Sequence, residues 1–100
     1  MLALKADDKI GLVPNIALHS NAQNNFFMAF NVITGEQFRL NTTSFWVMES
    51  ITEGIEWAKL KESFFRRFEV GRAQGDKDLN SLASQLLELG LVEITGGERQ

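Results

Sequence analysis

The run FFMAFNVI, Phe26 to Ile33, restricts this chain more than any other stretch, because six of its eight residues are aromatic or large and aliphatic and it stops at Thr34-Gly35. Bulk of that kind, ended by a turn signal, predicts a strand. EQFRL follows, with Phe38 and Leu40 alternating against Gln37 and Arg39, so the turn should close a hairpin onto a strand over Glu36 to Leu40. Two registers are open. A two-residue loop would oppose Phe30 to Arg39 and mix apolar with polar faces. A three-residue loop, Ile33-Thr34-Gly35, pairs Phe30 with Phe38 and Met28 with Leu40, and is the register expected. Phe26, Met28, Phe30, Val32, Phe38 and Leu40 would then form one buried face.

Upstream, LVPNIALHS (Leu12 to Ser20) reads as a weak strand, with Ile16 and Leu18 on one side and Pro14 restricting it to an edge or a strand start. NAQNN (Asn21 to Asn25) is turn chemistry. Residues 1–11 show no pattern and are expected to form a flexible arm. Downstream, Asn41 stands where a helix N-cap belongs, and Phe45, Met48 and Ile51 recur at helical spacing until Gly54. Trp57, Leu60, Phe64 and Phe68 mark the core face of a second helix, with Lys59, Glu62, Ser63, Arg66 and Arg67 facing water. Trp46 and Phe65 lie off the main stripes, so each either faces a partner or belongs to a core wrapping more than one helix face. Val70 to Asp76 reads as a loop, after which Asp76 or Asp78 should cap a third helix with Leu79, Leu82, Leu86 and Leu89 in its core stripe. With Gly90 left-handed, Leu91 can close back on Leu86, and Leu91 to Ile94 can extend before a polar tail, residues 95–100.

Three strands in a meander and then three helices predict an α+β, winged-helix-like domain spanning residues 12–94. One hundred residues suffice for a single core without staples, in keeping with the lack of cysteine, which excludes disulfides and thiolate metal sites. The start, MLALKADDKIG, has neither a signal-peptide nor a membrane-span pattern, so a cytoplasmic protein is expected. A net charge of -3 and scattered bases weigh against nucleic acid.

Catalytic constellations are missing from the sequence. His19 is the lone histidine and reads as a surface or packing residue; Gly71, Gly75 and Gly96-Gly97 lack the spacing and the lysine of a phosphate loop; the carboxylates are spread over loops and helix ends. No enzyme, metal or cofactor is expected.

The blocks FRLNTTSFWVMESITEG, LKESFFRRFEV and DKDLNSLASQLLELGLVE resemble, in order and spacing, the coenzyme PQQ synthesis protein D (PqqD) family of peptide-recognition domains. The shared pattern comprises Leu40-Asn41, Glu53-Gly54, Phe68-Glu69-Val70 and Asp78 to Val92. Ile55-Glu56-Trp57 departs from the family's polar, Thr-containing helix start, and the stretch Arg72 to Asp76 is longer than usual. The resemblance implies a non-catalytic recognition element that binds the leader segment of a ribosomally made precursor peptide. Its further partner would be a modifying enzyme, such as a radical S-adenosylmethionine enzyme, a leader peptidase or another tailoring enzyme. It also implies where the leader lies: as an added strand along Glu36, Gln37, Phe38, Arg39 and Leu40, against a helix wall of Leu79, Leu82, Ala83, Leu86 and Leu87. Ala83 and Leu87, on the flank of the core stripe, are the sharper candidates for the groove, and Arg39 and Lys77 are candidates to meet acids of the leader. A meander leaves its third strand at an edge, where unpaired amides and carbonyls can accept an extended chain.

Two other readings compete. A winged-helix regulator would read nucleic acid with Asp76 to Leu89, which sets only Lys77 against Asp76, Asp78 and Glu88. An interaction module would use the same free edge for a folded partner.

Overall fold

The computed structural model describes residues 4–95. Strands β1 (Lys9–Leu12), β2 (Ile16–Asn21), β3 (Phe26–Asn31) and β4 (Gln37–Leu40) come first, with a 3-10 turn at Ala22–Asn24; then α1 (Thr42–Ser50), β5 (Ile55–Glu56), α2 (Trp57–Phe68), α3 (Arg72–Glu88) and β6 (Val92–Thr95). The predicted meander is the antiparallel sheet β2-β3-β4, and three helices follow it in an α+β arrangement.

A second antiparallel sheet, β5-β1-β6, was not expected in full, and its centre strand comes from the segment predicted to be a flexible arm. Ile10 of β1 is 1% exposed and pairs with Ile55 and Ile94. One apolar residue between Lys9 and Gly11 gives too short an alternation to read locally; partners remote in sequence make the strand. The same segment caps α2. Glu56 makes no side-chain cap, and the amides of Trp57 and Ala58 donate instead to the carbonyls of Asp8 (2.8 Å) and Ala6 (3.1 Å), which satisfy orphan donors of the first turn. Regular structure therefore begins before residue 12 and includes Thr95; the outer parts of the predicted arm and tail, residues 1–3 and 96–100, lie outside the described residues.

The meander carries a second correction. Its register is Phe27↔Leu40, Met28↔Arg39, Ala29↔Phe38 and Phe30↔Gln37, one step from the expected one. Strand β3 stops at Asn31, whose side-chain oxygen accepts the amides of Ile33 (2.8 Å) and Thr34 (3.1 Å) while its carbonyl accepts that of Gly35 (2.8 Å, φ 81°). The connection thus holds four residues, Val32 to Gly35, and a one-residue slip moves every side chain to the other face. Phe27 and Ala29 point inward with Phe38 and Leu40, whereas Phe26, Met28 and Phe30 share the outer face with Gln37 and Arg39. Val32, expected on the buried face, is 57% exposed in the turn, and Ile33, expected in the turn, is 72% exposed.

Helix α1 starts as its sequence demands, with the Asn41 side chain accepting the Ser44 amide at 2.7 Å. Helix α3 starts at Arg72, several residues before the predicted Asp76 or Asp78 cap. Two glycines make that stretch read as loop, but Gly75 is where α3 meets α2: a Cβ there would lie 2.5 Å from the Phe65 ring. Asp76, inside the helix, pairs with Lys61 of α2 at 2.9 Å. At the far end Gly90 (φ 78°) turns the chain, and the Leu91 amide donates to Leu86 at 3.0 Å, the expected closure. Ile10, Met48, Ile51, Leu60, Leu79 and Leu91 fill the centre of the core. Trp46 and Phe65 are both half-buried against it, so the core wraps beyond one stripe on α1 and α2.

Candidate functional site

Strand β4 ends the sheet order β2-β3-β4, so among the described residues one of its sides has no strand neighbour. Which of its backbone groups face that side follows from one bond, the Asn31 amide donating to the Glu36 carbonyl at 2.9 Å. Glu36 therefore turns its carbonyl toward β3, and alternation along an antiparallel strand turns Phe38 and Leu40 the same way. The amides and carbonyls of Gln37 and Arg39 point to the open edge. An unpaired edge of this kind accepts an extended chain by main-chain hydrogen bonding.

Where β4 ends, a cleft of about 340 Å³ opens. Asn41, Thr43 and Ser44 at the start of α1 form one wall, Asp78 and Leu82 of α3 the other, and Phe64, Phe68 and Val70 lie between them. The two rings are 4.9 Å apart, and Trp46 stands edge-on to Phe68 at 5.4 Å, so the aromatic part of the lining is held by ring packing. Asn41, Thr43, Ser44 and Asp78 supply the polar part of the lining, and Ser44 is buried. Asp78 accepts a hydrogen bond from the Gln74 side chain at 2.8 Å, and Asn41 is engaged in capping α1.

The sequence-predicted residues separate into three sets. Glu36, Gln37, Phe38, Arg39 and Leu40 occupy the edge as expected, with Phe38 and Leu40 facing inward. Of the α3 residues predicted for the site, Leu82 alone lines the cleft. Leu79, Ala83 and Leu86 are 0%, 1% and 2% exposed, so they are core, and Ala83 as a groove residue is corrected. Its small side chain marks close packing inside the domain. Leu87 is 37% exposed but follows Asp78 by nine positions, about two and a half turns, which puts it on the opposite side of the helix from the cleft. Lys77 is exposed and outside the lining.

Thr43, Ser44, Phe64, Phe68, Val70 and Asp78 were not anticipated in the site. The spacings Phe64/Phe68 and Asp78/Leu82 showed which residues share a helix face. They could not show which part of a face the neighbouring elements would leave uncovered.

Beside the edge, on the outer face of the sheet, the Arg39 guanidinium lies 4.5 Å from the centre of the Phe26 ring, and His19 meets the same ring edge-on at 6.3 Å. Among the described residues, no cluster of His, Asp or Glu side chains is arranged to hold a metal ion, and no helix is long and apolar enough to cross a membrane.

No family model matches this chain, and no curated protein matches it. A solved structure shares its fold. Lasso peptide synthetase B1, complexed with the leader peptide, superposes with a TM-score of 0.68, covering 84% of this chain and 96% of that one at 21% sequence identity. At that identity the likeness is one of fold.

Proposed function

We propose that this protein is a non-catalytic peptide chaperone. It binds the leader segment of a ribosomally made precursor peptide by strand addition to β4, and presents that peptide to a modifying enzyme in the cytoplasm. The observation that carries this reading is the outward direction of the Gln37 and Arg39 backbone groups on a strand that ends at a cleft lined in part by Phe64, Phe68, Val70 and Leu82. Backbone pairing supplies affinity for any extended chain, and the cleft selects the side chain that enters it. Two likenesses support the reading: the sequence resemblance to PqqD-like recognition domains, and the fold shared with lasso peptide synthetase B1 complexed with the leader peptide. The enzyme served would be a radical S-adenosylmethionine enzyme, a leader peptidase or another tailoring enzyme.

A second reading, docking of a folded protein, has one observation in its favour: the outer sheet face carries Phe26, Met28 and Phe30 and leads to the exposed Val32 and Ile33. Affinity capture from the native cell's lysate, read by mass spectrometry down to peptide size, separates the two. Leader binding predicts recovery of a short precursor peptide by the wild-type protein and its loss with Arg39→Pro, which removes an outward amide while far-ultraviolet circular dichroism stays native. Full-strength peptide capture by that variant would rule out strand addition through this amide, and capture of folded proteins alone would favour the second reading.

A further inference from the structure

We infer that Arg39 makes the edge selective for a peptide segment alternating apolar and acidic residues, with an acid at the position opposite Arg39. The inference rests on strand addition to β4 and specifies the chemistry of the segment added. Alternation sets Gln37 and Arg39 on the outer face of the sheet and Phe38 and Leu40 on the inner one. A strand laid along the open edge repeats that alternation, so the residue opposite Arg39 stands on the outer face and those on either side of it turn inward. Directly opposed side chains have their Cβ atoms about 5 Å apart, within reach of an ion pair.

The outer face has a single sign near that position. The residues that β2, β3 and β4 place there are Ala17, His19 and Asn21, then Phe26, Met28 and Phe30, then Gln37 and Arg39, and none is a carboxylate. Among the described residues the Arg39 guanidinium has no ion-pair partner. It is held 4.5 Å from the centre of the Phe26 ring, and a guanidinium placed on an aromatic ring can still donate N–H groups to a carboxylate. On the inner side the added strand meets the apolar end of the edge, where Phe64, Phe68 and Leu82 line the cleft. The protein's net charge of -3 gives an acidic peptide no general attraction, so the preference is confined to the position beside Arg39.

A displayed library of random short peptides, selected separately on the wild-type protein, on Arg39→Glu and on Arg39→Pro, tests this. Wild type should enrich segments with Glu or Asp at one position flanked by apolar residues, and Arg39→Glu should enrich Lys or Arg at that same position. In the leading wild-type segment, changing the acid to its amide should weaken binding about two- to fivefold, and this difference should vanish on Arg39→Gln. The same residue class enriched at that position by wild type and by Arg39→Glu would overturn the selectivity while leaving strand addition intact. No enrichment over bare support, or equal enrichment by Arg39→Pro, would instead remove strand addition and the selectivity with it.

Discussion

Gly75 lies against Phe65 so closely that a Cβ on the glycine would stand 2.5 Å from one ring carbon and 2.8 Å from a methyl of Val70. The contact limits how near α3 comes to α2. Alanine is the better helix former by about 1 kcal/mol. The overlap with a rigid ring outweighs that gain, since overpacking a fitted interface costs about 1–3 kcal/mol. Gly75→Ala should therefore lower the urea midpoint rather than raise it, by chemical denaturation followed at far-ultraviolet wavelengths.

The register of β3 on β4 can be read out by a pair of substitutions. Phe27 faces inward, with its ring 5.0 Å from that of Phe45, while Met28 faces outward opposite Arg39. Phe27→Ala should cost about 2–3 kcal/mol, toward the low end for aromatic truncation because the side chain is half-buried, and Met28→Ala less than about 1 kcal/mol. The register expected from the sequence gives the reverse order, so denaturation of the two variants side by side distinguishes them.

Lys61 and Asp76 join α2 to α3 at 2.9 Å, with side chains 31% and 44% exposed. An ion pair in contact with water is worth less than about 1 kcal/mol and weakens with salt. Asp76→Asn should move the thermal midpoint by a few degrees at most, and the shift should shrink in molar salt. A loss as large as that from Gly75→Ala would mean that charge rather than close packing holds the two helices together.

Leu82 is half-buried and lines the cleft, whereas Leu79, one turn away, is fully buried. Leu82→Ser should leave the far-ultraviolet spectrum unchanged and weaken capture of the precursor peptide several-fold. Leu79→Ser buries an unpaired hydroxyl and leaves a cavity, so it should unfold much of the protein. Undiminished peptide capture by Leu82→Ser would place the selecting pocket elsewhere.

The sequence by itself determined the local elements. The bulk of Phe26 to Phe30, the Asn41 cap, the Trp57/Leu60/Phe64 stripe and the Gly90 closure each act over a few residues, and each formed as its chemistry required. It also identified the β4 edge, because in a meander the last strand has one neighbour. Tertiary structure decided the rest. Strand β1 exists through pairing with Ile55–Glu56 and Val92–Thr95, too far along the chain for any pattern around Ile10 to announce. The hairpin register depended on the Asn31 side chain satisfying two turn amides, which lengthened the loop by one residue and exchanged the faces of β3. Helix α3 runs through Gly75, where Phe65 of α2 leaves no room for a Cβ, a closeness visible only once the two helices are packed. Ala83 and Leu82 are neighbours on one helix, yet one is core and the other lines the cleft, for periodicity sets the angle of a side chain and only packing decides what stands opposite it.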